Sequence, residues 1–255
     1  MKKRNFLAAL LLLWAGLQTA WAQKVVLRLT NNEVLKYSVE QVESITFEQE
    51  DDDDNPELHE YVDLGLPSGT LWATCNVGAT QPEESGDYFA WGETQPKENY
   101  SRETYKYCKG TEYYTMTKYC TDSYYGTVDN KTELESMDDA ATANWGSEWQ
   151  MPSYEQCREL INSEYTIITW TTQNGVYGMK IVSKQNGNSI FLPAAGCRYV
   201  TYPNDVGSYG NYWSRSLHTS FSYYGRSLYF DLSGIYTNDC DRFYGQSVRP
   251  VRVKK

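Results

Sequence analysis

The stretch GNYWSRSLHTSFSYYGRSLYFDLSGIYTNDCDRFYGQSVRPV, residues 210–251, decides how the chain is read. Residues 212–214, 228–232 and 247–251 read as strands. Within them Leu228, Phe230 and Leu232 alternate with Ser227, Tyr229 and Asp231, so the first set is expected to face a core and the second solvent. Upstream, residues 167–171, 179–182 and 190–192 are further strands, separated by the hairpin dipeptides Asn174-Gly175 and Asn186-Gly187. Before these lie helical candidates. Residues 82–93, PEESGDYFAWGE, open with Pro and two acids and end near Gly92, as a helix does. Residues 136–144 are a second short candidate. In WQMPSYEQCRELINSE, residues 149–164, Ser153 and Gln156 form a capping-box pair, and Cys157, Leu160 and Ile161 share one helical face. Cys157 is therefore expected in a core. Residues 71–75 alternate as a strand with Leu71, Ala73 and Cys75 on one face. Helices mainly first and antiparallel strands mainly last predict an α+β fold with short helices.

The chain opens MKKRNFLAALLLLWAGLQTAWAQ. Lys2, Lys3 and Arg4, an apolar core over 6–17 and Ala20-Trp21-Ala22 have the form of a signal peptide over 1–22. The protein is therefore expected to be exported, to the cell surface, periplasm or extracellular space. No later stretch is long and apolar enough to span a bilayer. Residues 23–48 read as a small β-hairpin module: strands near 25–30 and 34–39 flank Asn31-Asn32, with a helical turn over 40–43 and a short strand over 45–47. EQEDDDDNPE, residues 48–57, is a solvated acidic linker over 49–57, since the oxygen spacing of a calcium loop is missing. A larger domain occupies 58–255. The net charge of −10 excludes nucleic-acid binding by phosphate neutralisation and disfavours anionic lipid surfaces. Six cysteines at 75, 108, 120, 157, 197 and 240 permit disulfides in an exported protein without choosing a pairing. Cys108 and Cys120 close the shortest loop and rank first. Without C-x-x-C, and with His59 and His218 as the two histidines, no metal site or cofactor is expected.

YVDLGLPSGTLWATCNVGA, GDYFAWGET, TVDNKTELE, DDAATANWGSEWQMPSYEQ, NGNSIFLPAAG, GNYWSRS and GQSVRPV, in this order from 61 to 251, together resemble the Fibrobacter succinogenes major paralogous domain family of exported bacterial proteins. The resemblance implies a C-type-lectin-like fold related to the formylglycine-generating-enzyme type. Residues 24–48 resemble a short module that precedes domains in such proteins. Gln150 departs from the Arg that relatives carry before Met-Pro, which removes a bidentate ion-pairing group.

The enzyme implied by that relationship uses a closely spaced cysteine pair, and here Cys197 and Cys240 are far apart in sequence. Fold without the site does not carry the chemistry. His218 is the one plausible base and reads as an exposed loop histidine. Glu83-Glu84 and Asp138-Asp139 read as helix N-terminal acids. Pro203-Asn204-Asp205 reads as a turn, lacking the partner motif of a calcium lectin site.

What remains is recognition. Tyr223, Tyr224, Arg226, Tyr229, Asp231, Tyr236, Asp239, Asp241, Arg242, Phe243 and Tyr244 lie in or beside expected loops and strand faces, with the Tyr, Ser, Gly and Arg chemistry of paratopes. They are expected to face an extracellular protein or glycan, as in adhesion. Residues 214–245 contain no Lys, Glu, Gln, Met or Trp, although these types make up 56 of the 255 residues; a window of that length holds about seven by proportion. Some C-type-lectin-fold proteins are diversified by retroelements that mutate template adenines. Asn codons ending in a pyrimidine then yield Tyr, Ser, Asp, Gly, Arg and others, but none of those five. The expected function is a non-enzymatic binding protein with a diversified C-terminal surface; an enzyme of the formylglycine-generating type is the alternative.

Overall fold

The structure is a computed structural model, and it describes residues 24–28, 34–38 and 59–253. The expected signal peptide, the acidic linker, and the turn and strand over 40–47 lie outside the described residues. The chain divides into two compact units, Met1–Pro56 and Glu57–Lys255. In the first, β1 (Lys24–Arg28) pairs antiparallel with β2 (Val34–Ser38), Val26 opposite Lys36.

The second unit is built from small antiparallel sheets. β3 (Tyr61–Asp63) and the C-terminal β13 (Val251–Val253) flank β4 (Thr70–Ala73). β5 (Thr166–Gln173), β6 (Val176–Ser183) and β7 (Ser189–Pro193) form a meander. Asn174 and Gly175 both adopt positive φ, 48° and 84°, as the tightest hairpin turn requires. β8 (Cys197–Tyr199) and β9 (Tyr202–Asn204) make a short hairpin, and β10 (Tyr209–Leu217), β11 (Tyr224–Asp231) and β12 (Gly234–Asp241) make the third three-stranded sheet. Among the described residues two short α-helices accompany them. α1 (Ala140–Trp145) starts on Asp139, whose carboxylate accepts from Thr142 N at 3.0 Å. α2 (Tyr154–Leu160) carries the expected capping box: Gln156 N donates to Ser153 Oγ at 3.2 Å and Ser153 N to Gln156 Oε1 at 2.8 Å. The chain is thus mainly antiparallel sheet with few short helices, within the α+β to mostly-β range. Among the described residues no helix is long and apolar enough to cross a membrane.

The sheet β10–β11–β12 lies between two cores. On one of its faces Tyr212, Leu228 and Phe230 pack with Trp72, Leu160 of α2 and Ile181. On the other, Trp213 packs with Trp91, Tyr100 and Tyr119. Cys157 is 2% exposed, and burial pushes its thiol up to about 12, so it is a core residue as expected.

Several local expectations are corrected. Residues 82–93 are not helical. Glu84 folds its carboxylate back onto Thr80 N (2.7 Å) and Gln81 N (3.1 Å), Gly86 takes φ +67°, and Phe89 exchanges backbone bonds with Gln246. The donors a helix would need are spent elsewhere. Residues 234–241, expected as loop, are the strand β12. Leu232 is 76% exposed at the β11–β12 turn instead of facing the core, while Ser227 is 1% exposed because both faces of the sheet are covered there. Cys108 and Cys120 are not bridged; all six cysteines are free. Cys120 Sγ donates to Asp122 O at 3.1 Å, whereas Cys108 Sγ turns to the carbonyls of Gly110 and Glu112, each at 3.4 Å. Gln150 accepts from Arg215 Nη1 at 3.2 Å.

Candidate recognition face

Two segments far apart in sequence meet at the end of β10. The turn after β10 brings Phe221 and Tyr223, the start of β11 brings Tyr224, and the Tyr-rich loop region 105–125 brings Tyr113, Tyr124 and Tyr125. Tyr223 lies 5.2 Å from Tyr113, 5.3 Å from Tyr125 and 4.1 Å from Tyr224, ring centre to ring centre. Phe221 lies 6.3 Å from Tyr125, and the Tyr113 and Tyr124 hydroxyls are 3.1 Å apart. Tyr125 is buried and forms the floor. Tyr124 is 62% exposed, Tyr114 48% and Phe221 43%. These are the tilted and edge-on contacts that aromatic quadrupoles favour. Burial, then the Tyr224 hydroxyl, push the Tyr223 phenol up to about 12.

Arg102 extends this face. Its guanidinium lies 5.9 Å from the Tyr113 ring and 5.3 Å from the Phe243 ring, and it pairs with Asp241 at 2.6 Å. Beyond it Tyr244 stacks on Tyr199 at 5.0 Å. A third group lies on the sheet itself. Tyr229 opposes Tyr236 across β11 and β12 and sits 5.7 Å from Tyr209, with its hydroxyl donating to Asp231 Oδ2 at 2.9 Å. Arg226 and Asp239 pair at 2.9 Å on the opposite face, where Arg226 covers the Tyr154 ring at 4.6 Å.

The expected site residues therefore do not form one patch. Tyr223, Tyr229, Tyr236 and Tyr244 all keep accessible surface, but they fall into separate groups. Arg242 is corrected outright. It is 1% exposed, donating to Tyr105 OH, Tyr119 O, Ser222 O and Lys118 O, and it is a strut under the face. Phe243, at 9%, is likewise mostly buried. Tyr113, Tyr114, Tyr124 and Tyr125 were outside the expected set. Their signal was present, since seven tyrosines fall within residues 105–125, but no local pattern ties that segment to residue 223.

The chemistry-bearing groups are mostly accounted for by structure. Asp139 caps α1 and also accepts from Met151 N. Asp138 holds Lys106 at 2.9 Å, Lys118 at 2.5 Å and Tyr119 OH at 2.6 Å. Glu83 receives Asn174 at 2.5 Å. Asp205 takes φ 52° just after β9, as a turn residue does. His218 is not an exposed loop residue: it is partly buried and faces Asp239 at 3.5 Å. Burial, then Asp241, then Cys197 push the Cys240 thiol up, and burial also raises Cys197. A raised thiol is the protonated, unreactive form. Among the described residues no group of three or more His, Cys, Asp or Glu could hold a metal ion. A pocket lined by Lys180, Gln173 and Phe191 holds about 140 Å³, below the roughly 300–1,000 Å³ of ordinary ligand sites. No family model, curated protein or solved structure matches this chain.

Proposed function

We propose that this protein is an exported, non-enzymatic binding protein of the family it resembles, which offers a tyrosine-rich face to an extracellular protein or glycan. The observation that carries the reading is the continuous aromatic surface formed by Phe221, Tyr223 and Tyr224 with Tyr113, Tyr124 and Tyr125. Rigid aromatic rings with polar edges give large contact area at little entropic cost, and interface hot spots concentrate in such residues. The exchange of side chains within 214–245 belongs to the same proposal, with buried Leu228, Phe230 and Arg242 as the constant frame. The test is an array of glycans and extracellular proteins probed with the chain and with a Tyr113→Ala/Tyr223→Ala variant. The variant is expected to lose at least about tenfold in affinity for any captured ligand while keeping its fold by circular dichroism. Unchanged capture by this variant, and by Tyr244→Ala, would overturn the reading.

A further inference from the structure

β10 ends at Leu217, and the next residues turn back toward β11. The turn is held by a side chain. His218 Nδ1 accepts from Ser220 N at 3.2 Å and from Phe221 N at 3.1 Å. The Phe221 N–H is shared with the His218 carbonyl at 3.3 Å. An imidazole nitrogen that accepts carries no proton, so the ring proton sits on Nε2, which faces Asp239 Oδ2 at 3.5 Å. This is the side-chain-to-backbone arrangement that Asn and Asp commonly make in turns, here made by a group that can take up a second proton.

We propose that the His218 turn is a proton-operated switch that sets the position of Phe221 on the aromatic face. A proton added at Nδ1 converts the acceptor into a donor pointing at two N–H groups, and both contacts are lost. The charge gained is attracted to Asp239, whose other oxygen already holds Arg226 at 2.9 Å. Tyr224 of β11 lies 6.4 Å from the imidazole and Phe221 5.1 Å, ring centre to ring centre. From the facing segment Thr121 Oγ1 donates to Thr219 O at 2.6 Å. Protonation therefore favours a ring turned toward Asp239 and a released turn. Imidazole is the side chain whose charge ordinarily changes between pH 5 and 8. The consequence for ligand capture rests on the function proposed above; the response of the turn does not.

The test is a pH series from 8 to 5 on the ligand-free, isotope-labelled chain, following the His218 imidazole and the Ser220 and Phe221 amides by NMR. Both amides are expected to shift with the same midpoint as the imidazole, and contacts between the Phe221 and Tyr125 rings to weaken. In His218→Asn the amide oxygen replaces Nδ1 as acceptor and cannot titrate, so the two amides should stay fixed. An imidazole that does not titrate in this range, one that titrates without moving these amides, or a His218→Asn chain that responds like the original overturns the inference. Failure to capture any ligand at pH 8 would instead count against the proposed function and leave this result intact.

Discussion

At Arg242 a full positive charge lies in the interior with neutral oxygens as its hydrogen-bond partners. Its guanidinium spans a phenol and the carbonyls of residues 118, 119 and 222, and it lies 4.7 Å from the Trp91 ring centre and 5.3 Å from that of Tyr105. Burying a charge is unfavourable unless its donors are met and aromatic faces or dipoles replace water. Here planarity matters as much as charge, because the forked donors reach acceptors on three separate strands of chain. These acceptors belong to the segments that carry Tyr124, Tyr125 and Tyr223, so Arg242 joins the two halves of the aromatic face from beneath. Arg242→Lys is expected to lose roughly 2 kcal/mol of stability, since an ammonium cannot span the same acceptors. Arg242→Ala should lose roughly 4 kcal/mol, adding a cavity to the unmet carbonyls. Urea unfolding measures both; a Lys variant within about 0.5 kcal/mol of the parent, the size of an ordinary surface change, would refute the strut.

The strand β11 separates constant from replaceable positions. Leu228 and Phe230 are 2% and 0% exposed, and Tyr236, which opposes Tyr229 from β12, is 50% exposed. Phe230→Ala is expected to cost about 3–5 kcal/mol, and Tyr236→Ala no more than about 0.5 kcal/mol. Gly225→Ala belongs with the first class: an added Cβ would sit 2.7 Å from the Trp91 ring, so overpacking by about 1–3 kcal/mol follows. Thermal melts of the three variants check the order, and equal losses at Phe230 and Tyr236 would refute it. The alternation of Leu228 and Phe230 was legible in sequence because a period of two is a local property. It failed at Ser227 and Leu232, where the second core and the turn decide exposure. The β12 strand was hidden for a related reason. Gly, Asn and two Asp in GIYTNDCD read as loop, and pairing with β11 overrides that propensity. The helix expected over 82–93 had a proper start signal, but Glu84 uses its carboxylate to close a turn and Gly86 adopts a positive φ.

Across the whole second unit, the legible part was the antiparallel framework and its hairpin dipeptides; the face itself was half hidden. Residues 223 and 113 meet where two remote segments are joined by the Arg242 strut and by Thr121, which donates to Thr219 O and Ser222 Oγ, and neither composition nor spacing records that. Composition does record how much of the interior is phenol. Tyr88, Tyr100, Tyr105, Tyr119 and Tyr212 are each at most 8% exposed, and burial is the leading cause that raises every one of them above the usual tyrosine range. Tyr119 is raised to about 12. The sign follows from linkage: a group whose folded value lies above its unfolded value contributes stability below the unfolded value, near pH 10, and loses it as pH rises through the folded one. The rise at Tyr119 alone corresponds to about 3 kcal/mol, a large share of the margin of an ordinary domain, about 5–15 kcal/mol, and the other buried phenols act in the same direction. The buried phenols should therefore ionise only by unfolding the unit. A titration from pH 8 to 13 is expected to show exposed tyrosines ionising gradually near pH 10, then a steep second rise in tyrosinate absorbance that coincides with loss of the sheet signal in circular dichroism. A single gradual tyrosinate curve with the sheet signal intact throughout would mean that these hydroxyls reach water in the folded state, and the phenolic interior described above would be wrong.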